Sequence, residues 1–127
     1  MTDRGIRLNI RTSRVLAARR GKTLVATLRL ATKRPWAIDA AYFVEVPRPI
    51  YLLDMATHPE HQKLGIGRRM VEKAKQAVKA WPGQSIRLDA YDAPAGAGEF
   101  YAKCGFREVG RVTYRGTALL YFELLLP

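Results

Sequence analysis

The hydrophobic pattern changes its period between Ile50 and Ala80, and that change limits what the rest of the chain can build. Ile50-Tyr51-Leu52-Leu53-Asp54-Met55-Ala56-Thr57 is a short apolar run rich in strand formers. His58-Pro59 ends it, because proline lacks the N–H that a sheet ladder needs. Beyond Gln62-Lys63-Leu64-Gly65-Ile66-Gly67-Arg68-Arg69, the residues Met70, Val71, Ala74, Ala77 and Val78 recur with helical spacing. Lys73, Lys75 and Lys79 take the solvent side, and Pro82-Gly83 stops the pattern. The segment predicts a strand, a glycine-containing turn and a helix.

Such a turn has a use. The first N–H groups of a helix have no intrahelical partner and sit at the positive end of its dipole. Glycines at 65 and 67 leave room for a phosphate to reach those amides, and Arg68 and Arg69 add charge, so a pyrophosphate is the expected ligand. The segment is not a phosphate-binding Walker loop, because no Gly-Lys-Ser/Thr follows. It also lacks the third glycine of the dinucleotide fingerprint. From Gly-Ile-Gly alone, an ordinary strand-to-helix connection is an equal alternative.

Two stretches carry a resemblance. Gln62-Lys63-Leu64-Gly65-Ile66-Gly67 resembles the Gln/Arg-x-x-Gly-x-Gly/Ala signature of the Gcn5-related N-acetyltransferase (GNAT) superfamily. Glu99-Phe100-Tyr101-Ala102-Lys103-Cys104-Gly105-Phe106 resembles that family's second signature, a tyrosine-bearing helix that ends in Gly-Phe. The likeness runs from about Val15 to Leu126. It implies a mixed α/β (α+β) fold with a mostly antiparallel sheet. A central parallel strand pair would splay around the cofactor, with helices on both faces. It also implies acetyl-CoA as donor and an amine of a small molecule or protein as acceptor.

Length and composition bound the rest. A chain of 127 residues makes one domain, 1–127, in which residues 1–14 read as an arm or a short strand. The apolar share of 48% is ordinary for a globular chain, and no apolar run or leader suggests a membrane span or export. The lone Cys104 excludes an intrachain disulfide framework and points to a reducing cytoplasm. With two histidines and that one cysteine there is no case for a metal. The net charge of +11 suits either nucleic acid or an anionic cofactor. No interleaved aromatic–basic block favours nucleic acid, so the cofactor is preferred.

Elsewhere, Ile6, Leu8 and Ile10 alternate with polar residues. Val15–Ala18 and Thr23–Leu30 flank Arg19-Arg20-Gly21-Lys22 as a hairpin. Lys33 to Pro49 reads as a loop or a loop plus strand, in which Tyr42-Phe43-Val44 starts the next strand; the alternative is that Trp36, Tyr42 and Phe43, with Asp39 and Glu45, bind an amine. Ile86, Leu88 and Ala90 alternate with Arg87, Asp89 and Tyr91 as a two-faced strand. Ala97, Phe100, Tyr101 and Cys104 share one side of a short helix capped by Gly105. Val109–Tyr114 and Thr117–Leu126 make a second hairpin around Arg115-Gly116. Its last strand is apolar enough to be buried on both faces or to lie in a dimer interface.

The resemblance gives the chemistry its residues. Main-chain groups of Met55, Ala56 and Thr57 would hold the cofactor arm, and the amides of Gln62, Lys63, Leu64, Gly65, Ile66, Gly67, Arg68 and Arg69 its diphosphate. Tyr101 would protonate the leaving thiolate, and it also reads as a core tyrosine on spacing alone. Asp54 is the first choice of base, one place out of register with the family's carboxylate. A bulge would restore it; otherwise it pairs with an arginine. Asp89, Asp92, Glu45 and His58 are weaker choices. Two departures stand out. Pro94 replaces an asparagine that many members use on the cofactor arm. Only about a dozen residues precede the first hairpin, where the family has a strand and two helices that wall the acceptor site. A homodimer partner is one way to complete that wall. The alternative function is a non-catalytic acyl-CoA-binding or nucleic-acid-associated regulatory domain.

Overall fold

The structure is a computed structural model. It describes the backbone of residues 3–10 and both backbone and side chains of 12–58, 65–93 and 97–127. Seven strands are present: β1 (Asp3–Ile10), β2 (Ser13–Arg20), β3 (Thr23–Ala31), β4 (Pro49–Thr57), β5 (Ser85–Tyr91), β6 (Arg107–Tyr114) and β7 (Thr117–Leu125). Two α-helices, α1 (Ile66–Ala80) and α2 (Gly98–Lys103), and one 3-10 helix (Ala40–Tyr42) complete the described elements. The sheet order is β1-β2-β3-β4-β5-β7-β6. Its one parallel pair is β4–β5, joined through α1. Both expected hairpins form, β2–β3 and β6–β7.

One face of the sheet is built as the sequence pattern dictates. α1 buries Ile66, Met70, Val71, Ala74, Ala77 and Val78. They pack with Leu28, Leu30, Ile50, Leu52, Ile86, Leu88 and, from α2 and its exit, Tyr101, Cys104 and Phe106. Each fully buried aliphatic side chain of this kind contributes about 1.5–3 kcal/mol. α2 closes with the Phe106 N–H on the Tyr101 carbonyl at 3.0 Å and the Gly105 N–H on the Ala102 carbonyl at 3.1 Å.

The other face is covered differently. Ile38 and Phe43 pack on Tyr51 and Tyr121, and the 3-10 helix lies over them. So the α-helices share one face and the 3-10 helix serves the second. Tyr42-Phe43-Val44, expected to begin a strand, does not do so; β4 begins at Pro49. The reason is that side chains satisfy this backbone in place of a ladder. The Val44 N–H donates to Glu123 Oε2 at 3.0 Å, and its carbonyl accepts from Arg87 Nη2 at 2.8 Å. Asp39 caps the 3-10 turn by accepting the Ala41 N–H at 3.0 Å. Pro47 and Pro49 supply no donors that a longer strand would need.

β7 lies between β5 and β6, and Leu119–Glu123 are buried on both its faces. β5 alternates as expected, but the side bearing Arg87 is covered too: Arg87 is only 4% exposed. Among the described residues, no helix is long and apolar enough to cross a membrane.

Candidate active site

The sheet opens at its centre. β4 and β5 pair only at Pro49–Ser85, Ile50–Ile86 and Tyr51–Arg87. β4 then runs on to Thr57 and β5 to Tyr91 with no further pairing between them among the described residues. The β5-facing edge of β4 therefore presents main-chain donors and acceptors to a wedge instead of to a neighbour.

A bulge sets what points into the wedge. Thr27 pairs with Ala56 and Arg29 with Leu53, so Leu28 faces both Asp54 and Met55. Asp54 takes φ 54°, a left-handed conformation that Asp tolerates better than most residues. The extra residue reverses the alternation. Leu52 packs on the α-helical face, and so does Met55, three positions later. Asp54 itself is exposed and pairs with Arg29 at 3.1 Å. Both sequence-based possibilities for Asp54, a bulge and an arginine pair, occur together.

Tyr101 comes from α2 and is buried at 7% exposure. Phe100, Phe106 and Phe122 hold its ring at centroid distances of 5.3, 5.7 and 6.0 Å. Its hydroxyl donates to Met55 Sδ at 3.7 Å, a weak acceptor. Burial, with the fields of Cys104 and Asp89 added, pushes the Tyr101 pKa up to about 12. The group stays protonated at neutral pH, with the Met55 thioether as its hydroxyl's partner among the described residues. Asp89, on β5 across the wedge, is also raised in pKa by burial.

Two cavities meet here. One of about 740 Å³ is lined by Leu52–Met55, Asp89–Tyr91, Tyr114 and Arg115 among others. The second, of about 470 Å³, runs past Thr57, Gly65, Gly67, Arg68 and Phe100. Met55, Ala97 and Tyr101 border both. At the far end of the second cavity, Gly65 starts α1 with φ 74° and no side-chain cap. Among the described residues a side chain at Gly65 would meet nothing within 4 Å, so none of them fills the space over the helix start. The first helical bond is the Arg69 N–H on the Gly65 carbonyl at 3.1 Å, and the N–H groups of Ile66, Gly67 and Arg68 precede it. Gly67 serves packing instead: a Cβ there would press on the Phe100 ring at 3.3 Å.

Of the residues singled out in the sequence, Met55, Thr57, Gly65, Gly67, Arg68 and Tyr101 line the second cavity, and Asp54 lines the first. Ile66 puts its side chain in the core, and Ala56 and Arg69 are exposed and line neither cavity. Gln62, Lys63 and Leu64, with Pro94, lie outside the described residues. Ala97 and Phe100 were read only as a helix face, yet both line the channel. Cys104 is buried and its thiol is pushed up by burial, as a small core residue would be. No cluster able to hold a metal occurs among the described residues.

Comparison with known proteins agrees with this geometry. No curated protein matches the chain in sequence. A Bacillus anthracis protein assigned by name as a streptothricin acetyltransferase, solved with acetyl coenzyme A, superposes with a TM-score of 0.75 at 21% identity over 94% of this chain and 66% of its own. A Bacillus subtilis acetyltransferase in complex with CoA gives 0.71 at 18% identity, covering 93% and 80%. An aminoglycoside 6'-N-acetyltransferase complexed with coenzyme A gives 0.72 at 16%, covering 92% and 75%. At these identities the likeness is one of fold. The acetyltransferase (GNAT) domain model matches residues 11–108, which takes in the bulged strand, the glycine turn and the tyrosine helix, and the chain belongs to the GNAT acetyltransferase family.

Proposed function

We propose that this chain transfers the acetyl group of acetyl-CoA to a primary amine by direct attack on the thioester. The observation that carries the reading is the meeting of two cavities at Met55, Ala97 and Tyr101, one ending at the start of α1 and the other bordered by the carboxylates of Asp54 and Asp89. The space over Gly65 fits a diphosphate, and the unpaired edge of β4 fits an extended amide-bearing arm. Acetyl-CoA, when bound, supplies an activated acyl group.

The chain's own residues do the rest. The amides of Ile66, Gly67 and Arg68, with the Arg68 side chain, hold the anionic end. Main-chain groups near Met55 orient the arm. The Tyr101 hydroxyl keeps a proton at neutral pH and delivers it, or a hydrogen bond, to the departing sulfur. Asp89 takes the base role ahead of Asp54, because Asp54 is exposed and occupied by Arg29 while the raised pKa of Asp89 suits proton uptake. A cytoplasmic setting, where Cys104 stays reduced, belongs to the proposal. So does a homodimer, which sedimentation would reveal.

The test is CoA thiol release over a panel of amines, run beside calorimetry with acetyl-CoA. Tyr101→Phe should lower kcat about 10²-fold or more while the acetyl-CoA Kd stays within about twofold. Binding without thiol release for any amine would support the non-catalytic alternative instead.

A further inference from the structure

A third cavity, of about 730 Å³, lies on the second face of the sheet, between the segment 34–42 and β6. Ala37 and Tyr114 border both it and the 740 Å³ cleft, so the two adjoin. Its lining combines Trp36, Tyr42 and Tyr114 with the carboxylate of Asp39. Trp36 is 84% exposed and supports no packing that would explain a tryptophan there. Asp39 uses Oδ1 to cap the 3-10 turn. Its other oxygen has no partner among the described residues. Arg34 also lines the cavity, but its guanidinium is turned back onto the Ile38 carbonyl at 2.5 Å and the Pro35 carbonyl at 3.5 Å. Aromatic faces beside one carboxylate attract a cation.

The wall is held rigid from beneath. The Tyr121 hydroxyl donates to the Ala37 carbonyl and accepts the Asp39 N–H at 3.1 Å. Arg87 and Glu123 hold Val44 from both sides, and Arg87 is fixed by the Tyr51 hydroxyl at 3.0 Å. Tyr42 sits against Gly110, where any Cβ would strike its ring. A wall fixed in advance costs a ligand little ordering entropy.

We propose that this cavity is a distal acceptor subsite that takes a second cationic group, so that the preferred acceptor is a diamine or polyamine-like cation. The inference rests on the acetyl-transfer reading above. It also resolves a conflict with the net charge of +11, which repels cations at long range. Asp39 and Asp89 border the two adjoining cavities with Arg34 and Arg115, and Asp54 is paired with Arg29, so the formal charge there is balanced while the chain as a whole is basic.

The experiment compares kcat/KM for a series of terminal diaminoalkanes, each against the monoamine of equal length. For the best length the diamine should exceed its monoamine about tenfold. Asp39→Asn, which keeps an oxygen for the cap, and Trp36→Ala should each bring that ratio towards one. Tyr121→Phe should lower it by raising the diamine KM at unchanged kcat, with the acetyl-CoA Kd constant. Ratios near one throughout the wild-type series, or a ratio that survives both Asp39→Asn and Trp36→Ala, would overturn the subsite. A ratio unmoved in Tyr121→Phe would overturn the positioning of its wall. A wild-type chain that binds acetyl-CoA and acetylates no amine at all would remove the acetyl-transfer reading, and this inference with it.

Discussion

The two faces of the sheet are held by different physics. The helical face is a continuous apolar core from Leu28 through Val71 to Phe122, stabilised by area removed from water. The opposite face has a small apolar cluster around Tyr121, and its cover is tied down by buried polar groups. An apolar core loses stability gradually as methylenes are removed. A clamp of buried side chains on backbone groups fails abruptly when one member goes, because the groups it held are left dry and unpaired. The proposed function divides along the same line: the channel past Gly65 leans on the helical face, and the cavity proposed for the acceptor leans on the clamp.

The contrast can be broken most forcefully at Glu123. Glu123→Ala strands the Val44 N–H, takes the carboxylate from Arg107 at 3.5 Å and leaves the charge of buried Arg87 on the neighbouring strand unbalanced, and should cost about 3–5 kcal/mol in urea unfolding. The double variant Arg87→Met with Glu123→Leu should cost clearly less than the sum of the singles. Simple additivity would mean the two do not act together. On the helical face, Ile86→Ala should cost about 2–5 kcal/mol, with no such rescue by a second substitution.

Asp89 gives a smaller, pH-dependent effect. Its raised pKa means the folded state binds its proton more readily than the unfolded chain does. It therefore subtracts from stability above its folded pKa, and the penalty fades as pH falls through that raised value and is gone below the ordinary aspartate range. Asp89→Asn should raise Tm at pH 7 and lose that advantage in acid, while it slows acetylation. An unchanged Tm across that range would remove the desolvation argument. Smallest of all, Asp54→Ala breaks an exposed pair with Arg29 worth about 0.2–1 kcal/mol. Thermal unfolding at low and high salt would show whether even that is present.

Legibility from sequence followed the same division. The α1 face could be read because Met70, Val71, Ala74, Ala77 and Val78 repeat at a period only a helix satisfies, and all five are buried. Both hairpins were legible from Gly21 and Gly116 between alternating runs. Tyr42-Phe43-Val44 misled because the groups that capture Val44 lie 43 and 79 residues away in sequence. No local window contains them. Arg87 looked like a solvent-facing residue of a two-faced strand, since a charge announces burial only once its partners are known, whereas the run holding Glu123 was apolar enough to suggest burial on both faces. At the site, the one-place mismatch of Asp54 was itself the trace of the bulge. The preference for Asp89 needed its burial, which no spacing encodes.

The slot between β4 and β5 is cut by two backbones that part after Tyr51 and Arg87. A gap of that origin belongs to the main chain, so its outline persists while side chains are exchanged around it. Proteins at 16–21% identity share the fold of this chain. Under the proposed function, the berth for the donor is then a matter of architecture, and the choice of acceptor rests with the tethered segment.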